Sequence, residues 1–194
     1  MERNFHIFYQ IIAASSLPKS EQGPLTKKYC AQFSKIKSLD EYNYTNQSPI
    51  QDIEGEDDAL NLELALQCMK SVKFTDNDII YVLQIIVAIL NLGNIQFYQG
   101  DKAMVEQSSM EYMEWVKRLL QIKDIKTLDD CLTTKTIRVG NELIPENLEV
   151  EAAIQSRDTL CKNLYAELFS WIIQRVNSAI SVGSAAAGAR NIRK

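Results

Sequence analysis

The chain has 194 residues, 46% hydrophobic and 24% charged, an ordinary soluble composition long enough to bury one sizeable core. A formal net charge of -4 excludes the overall basic balance of a nucleic-acid binder. Cys30, Cys68, Cys131 and Cys161 are too scattered for a zinc or redox motif or a secreted disulfide framework, so a reduced, intracellular chain is expected. Residues 1–3 (MER) lack a charged-then-apolar leader, and no signal peptide is expected.

Phe5, Phe8, Tyr9 and Ile12 recur at three- and four-residue spacing and predict an amphipathic helix ending near Ser16, before Pro18, Gly23 and Pro24 break it. Residues 25–49 carry only short helical pieces. The acidic run 52–58 (DIEGEDD) precedes a second predicted helix at 59–72, whose positive N-terminal end it suits. It lacks the alternating ligands and closing glutamate of a calcium loop and reads as a solvated acidic turn. Thr75 and Asp78 form a variant capping box for a third helix, with Gly93 as its expected left-handed stop. Inside that helix, residues 79–92 are strongly apolar. At about fourteen residues the run falls short of the roughly 20 needed to cross a bilayer, so a core helix and no membrane insertion are expected.

Residues 94–98 predict a short strand, Gly100-Asp101 a turn, and 109–121 and 125–132 two further helices. Thr136, Ile137, Val139, Leu143 and Ile144 flank Gly140-Asn141, a hairpin signal. Leu160, Leu164, Leu168, Ile172, Val176 and Ile180 follow at four-residue steps, with Trp171 and Ile173 widening the stripe. They predict a last helix from near Val150, about thirty residues and roughly 45 Å long. Such a helix usually serves a larger body and suggests an exposed apolar face. Residues 181–194 (SVGSAAAGARNIRK) read as a flexible low-complexity tail outside a domain of residues 1–180.

Catalytic signals are sparse. His6 is the single histidine, which excludes multi-histidine metal sites, and a packed core role is expected for it. Gly183 and Gly188 have phosphate-loop spacing, but Ala189 stands where lysine is required and Arg190 where Ser or Thr would hold magnesium. The adjacent carboxylates Asp57-Asp58 and Asp129-Asp130 would diverge on a helix rather than converge. No catalytic, cofactor-binding or metal-binding residue is therefore assigned.

The segment ERNFHIFYQ (residues 2–10) resembles the helix that follows the switch-one region in myosin heads. Further resemblances come in that family's order: Tyr42-Asn43-Tyr44, GEDDA (55–59), ILNLGNIQF (89–97), LTTKTI (132–137) and DTLCKNLYAELFSWIIQRVN (158–177). Asn91, Lys73 and Cys161 stand where the family usually has His, Gly and Ala. The resemblance implies a mainly α fold: a helical subdomain with a short strand and one β-hairpin-like loop, part of the larger myosin head. It would be the upper fifty-kilodalton region between switch one and switch two.

By the same resemblance the parent would be an actin-activated Mg-ATPase, cytoplasmic and cytoskeleton-associated, whose nucleotide loops lie outside this segment. The implied partners are the actin filament and the remainder of the head; Mg-ATP belongs to the parent, with no cofactor in this piece. The actin-binding cardiomyopathy loop would run over residues 134–147, with Lys135, Thr136, Ile137, Arg138 and Glu142 as contacts. Glu142 lies sixteen positions before Asp158, where the family places an acidic or phosphorylatable residue. A permanent negative charge there would make a kinase unnecessary. Lys135 and Arg138 would steer toward actin's acidic surface. A shorter second contact, the family's loop four, would map to residues 99–106. The alternative is a free-standing helical interaction module that kept the fold and lost motor function.

Overall fold

The computed structural model describes residues 3, 5–33, 35–140 and 142–190. Among them are seven α-helices and two antiparallel strand pairs, so the fold is mainly α. Two compact units are formed: one from the chain up to Leu39, Ser48–Leu83 and the chain from Ala166 onward, the other from Asp40–Gln47 and Gln84–Tyr165.

In the first unit, α1 (His6–Ser16) buries Phe8, Tyr9, Ile11, Ile12 and Ala14 and packs along α3 (Asp58–Ser71). That spacing is the one an amphipathic helix needs. Gln22 Nε2 donates to the carbonyls of Ala14 and Leu17, at 3.2 and 3.0 Å, and so satisfies the end of α1. His6 is exposed at the start of α1, its Nε2 2.9 Å from the Arg3 carbonyl, which corrects the expectation of a packed core histidine. Its position in the first turn, ahead of the buried stripe, is the reason.

Next, α2 (Pro24–Cys30) has proline at its first position, where a missing N–H costs nothing. Its remaining free donors are met from α3. Glu63 accepts from the Leu25 and Thr26 backbone N–H at 3.1 and 2.8 Å and from the Thr26 hydroxyl at 2.9 Å. Gly23 permits that approach, because a Cβ there would lie 2.5 Å from the Glu63 carboxyl. The acidic run ahead of α3 has two specific jobs. Asp57 caps the helix by accepting from Leu60 N–H, while Asp58 forms a two-pronged ion pair with buried Arg3 at 2.8 and 2.9 Å.

Lys73 takes a left-handed φ of 63° just after α3, at a position where the resemblance leads one to expect glycine. A side chain is strained there by about 1–2 kcal/mol, partly offset by the flexibility glycine would bring to the unfolded chain. Lys73→Gly is therefore expected to stabilise the chain by about 1 kcal/mol or less, read from the midpoint of urea unfolding. A loss of stability would sink that account.

The capping box of α4 (Asp76–Gly93) forms as the sequence suggests: Thr75 N–H donates to Asp78 Oδ2 at 2.8 Å, and Asp78 N–H to Thr75 Oγ1 at 3.1 Å. Arg175 also reaches Asp78 Oδ2, at 3.0 Å, and Trp171 meets Phe74 edge-on, centroids 5.7 Å apart. By length and composition α4 could cross a membrane, yet 61% of it is buried inside the protein, which marks a core helix. Gly93 corrects the expectation of a left-handed stop. It is not among the positive-φ glycines, and it serves instead to let the Tyr44 ring approach, to within 2.6 Å of where a Cβ would sit.

In the second unit a single expected strand becomes a ribbon, β1 (Phe97–Gln99) with β2 (Ala103–Val105), turned at Gly100-Asp101. Helix α5 (Met110–Leu119) leads to α6 (Ile125–Thr133), which Asp124 caps by accepting from Thr127 N–H at 2.8 Å. The second strand pair is β3 (Thr134–Val139) with β4 (Glu142–Asn147). The final helix, α7, spans Val150–Arg190, 41 residues rather than about thirty. Its helical backbone continues through residues 181–190, where a tail was expected; four of those residues are alanine, the best helix former. Residues 191–194 lie outside the described residues. Phe169, Ile173 and Ile180 remain exposed on α7 at helical spacing, at 57%, 43% and 58%.

Candidate functional site

The β3–β4 hairpin stands on a buried root. Leu132 and Thr133 close α6 in the core, and Leu148 after β4 is buried as well. Leu148 N–H donates to the Thr133 carbonyl at 2.9 Å, while the Leu148 carbonyl accepts from Ala103 N–H of β2 at 2.8 Å. Val150 N–H, opening α7, is held by the Gln99 side chain at 3.4 Å. Both hairpins are thus tied to one short stretch of backbone, 148–150.

Beyond that root the hairpin pairs with itself alone among the described residues, as a two-stranded sheet. Gly140 adopts the positive φ of 64° that a two-residue turn requires; Asn141, its predicted turn partner, lies outside the described residues. The register sets Lys135 opposite Glu146, Thr136 opposite Pro145, Ile137 opposite Ile144, Arg138 opposite Leu143 and Val139 opposite Glu142. Because directly opposed residues share a face and successive residues alternate, the five predicted contacts divide. Lys135, Ile137 and Glu142 belong to one face. Thr136 and Arg138 belong to the other.

Each face is a mixture of charge and apolar surface. Lys135 Nζ lies 3.0 Å from Glu146 Oε2, with both side chains about half exposed, so this cation already has a partner. An exposed pair of this kind contributes about 1 kcal/mol at most, and its practical effect is to hold the lysine along the strand. Arg138 Nε donates to the Gly140 carbonyl at 3.3 Å, which curls the guanidinium toward the turn. Glu142 is exposed immediately after the turn. Next to it, Leu143 is 71% exposed and Ile144 40%. The tip of the self-paired hairpin thus carries exposed apolar side chains among charged ones.

Sequence reasoning missed Leu143 and Ile144 as surface residues and Glu146 as the partner of Lys135. The signal for the latter was present: Lys135 and Glu146 are equidistant from the Gly140-Asn141 turn, so a two-residue loop must oppose them. On the neighbouring β1–β2 ribbon, Tyr98 and Met104 are opposed in register and about half exposed, at 45% and 42%.

The family model described as Myosin head (motor domain) matches residues 1–190. Curated relatives include Myosin ID heavy chain of Dictyostelium discoideum, 34% identical over 191 residues, which takes in 92% of this chain and 16% of the relative. Unconventional myosin-Ib of Mus musculus is 31% identical over 92% of this chain and 15% of its own length. Myosin-3 of Arabidopsis thaliana is 32% identical over 96% of this chain and 15% of its own length. The chain therefore spans about one sixth of the curated relatives it matches.

Proposed function

This chain belongs to the myosin head (motor domain) family, and from that premise we propose that it supplies part of the actin-binding face of a motor, with the β3–β4 hairpin as its cardiomyopathy loop. In that reading the whole head is an actin-activated Mg-ATPase, cytoplasmic and cytoskeleton-associated, and this segment contributes a wall that grips the filament. The observation that carries it is the hairpin tip, where exposed Leu143 and Ile144 follow Glu142 in sequence above a buried, hydrogen-bonded root. The apolar side chains supply contact area once desolvated, while Glu142, Lys135 and Arg138 fix orientation and speed encounter. Glutamate at position 142 carries its charge without a phosphate, so the hairpin needs no kinase to become competent. Tyr98 and Met104 on the β1–β2 ribbon form the shorter second contact, within the loop-four segment at residues 99–106 and its edge.

The test uses a chimeric head in which residues 1–190 replace the matching segment of the Dictyostelium relative. Glu142→Ala is expected to raise the actin concentration for half-maximal activation by about two- to fivefold, the size of one exposed charge contact. Turnover without actin should stay within error. An unchanged actin dependence would overturn the assignment of the hairpin; equal loss with and without actin would show a folding defect instead. For the chain by itself, titration with Mg-ATP at millimolar concentration is expected to give no saturable heat, and a clear isotherm would show that it holds a nucleotide site.

A further inference from the structure

Next to Ile95, just ahead of β1, lies a half-buried polar chain that belongs to neither hairpin. Arg157 of α7, 7% exposed, donates from Nη1 to the Ile95 carbonyl at 2.7 Å, just ahead of β1, and from Nε to Asp158 Oδ1 at 2.9 Å. Asp158 Oδ1 also accepts from the Tyr44 hydroxyl at 2.7 Å. Tyr44 in turn lies against Gly93 at the end of α4, and its neighbour Asn43 clamps the same end. Asn43 N–H donates to Asn94 Oδ1 at 2.8 Å and Asn43 Nδ2 to the Gly93 carbonyl at 2.9 Å. Burial holds the Tyr44 hydroxyl well above its ordinary pKa, so it remains a donor throughout the physiological range. Charge-assisted hydrogen bonds of this kind are short and directional, and they fix relative position better than apolar packing does.

We propose that Tyr44, Asp158 and Arg157 form a positioning latch: they set the root of the β1–β2 ribbon on α7, and through the Ala103–Leu148 hydrogen bond the root of the β3–β4 hairpin, so that both tips meet one partner surface together. The latch rests on the reading of the hairpins as an actin-binding face. Arg157 is buried and Tyr44 and Asp158 are half-buried; their effect is to preorganise two surfaces that would otherwise be ordered on binding at an entropic cost.

In the same chimeric head, Tyr44→Phe removes one hydroxyl and keeps the ring. It is expected to raise the actin concentration for half-maximal activation about three- to tenfold, the span of one ordinary hydrogen bond, because the loss reaches the contact only through the hairpin roots, with the maximal rate retained. Arg157→Lys, which exchanges the three-nitrogen guanidinium fork for a single ammonium, should do the same. On the chain alone, amide exchange in residues 97–105 should quicken in Tyr44→Phe while amides of α1 and α3 stay as they were. A lowered melting temperature with unchanged actin dependence would make the network merely structural and overturn the latch. If Glu142→Ala shifts the actin dependence while Tyr44→Phe and Arg157→Lys do not, the latch fails and the binding face stands. If none of the three variants shifts it, the face reading fails first and the latch with it.

Discussion

Replacing Asp58 with alanine is expected to destabilise the chain by about 3–5 kcal/mol, because it strands a buried guanidinium. The Arg3 side chain is 2% exposed and its Asp58 partner 13%, so little water can replace the lost carboxylate. Arg3 would keep a 2.7 Å hydrogen bond to the Gln51 carbonyl and its position 4.4 Å over the Tyr9 ring. Neither neutralises its charge. Asp58 also stands at the first position of α3, where its charge suits the helix N-terminus, which adds a few tenths of a kcal/mol to about 1 kcal/mol. The measurement is the free energy of urea unfolding at neutral pH. The double variant Arg3→Met with Asp58→Leu should recover much of the loss, since it removes the stranded charge along with its partner. A cost below about 1 kcal/mol for Asp58→Ala would mean that the pair behaves as an ordinary surface bridge.

Glu63→Ala is expected to cost about 2–4 kcal/mol, since it leaves the half-buried donor of Leu25 and the buried donors of Thr26 without an acceptor. The same carboxylate makes stability depend on pH. Burial pushes the Glu63 carboxyl up, but the hydrogen bonds from Thr26 and Leu25 outweigh that and hold it below its ordinary value of 4.5. A carboxyl depressed in the folded state binds its proton more readily once unfolded. Its contribution is therefore complete above about 4.5 and is lost as the pH falls through the lower folded-state value. Stability measured across the acid range should fall more steeply in the unmodified chain than in Glu63→Gln, which cannot titrate. Parallel curves would show that Glu63 is not a source of the acid sensitivity. Gly23→Ala probes the same contact by a different route, since its Cβ must displace a carboxyl held by three hydrogen bonds; overpacking of this kind costs about 1–3 kcal/mol.

The local elements were legible in the sequence because their causes are local. Thr75 and Asp78 are three residues apart and cap each other as read; the Phe8, Tyr9 and Ile12 stripe makes α1; Gly140 turns the hairpin. Local signals also misled where one residue type serves two purposes. Gly93 reads as a helix stop, yet it is needed for the bare space it gives Tyr44, and alanine-rich SVGSAAAGA reads as a tail although alanine prolongs a helix. Of the site, the hairpin and its charges could be read, and the turn spacing carried the signal that opposes Lys135 to Glu146; the ion pair those two close and the exposure of Leu143 could not be read.

The sequence by itself determined where the helices and the hairpin form and which family they belong to, because periodicity, caps and turn residues act over a few positions. Tertiary structure alone decided which polar residues hold these pieces together. Arg3 finds Asp58 across 55 residues, Thr26 finds Glu63 across 37, and Tyr44 finds Asp158 across 114. No local pattern encodes such pairings. Each exists because burial makes an unpartnered charge or donor costly, and the fold brings the one group that can satisfy it within reach.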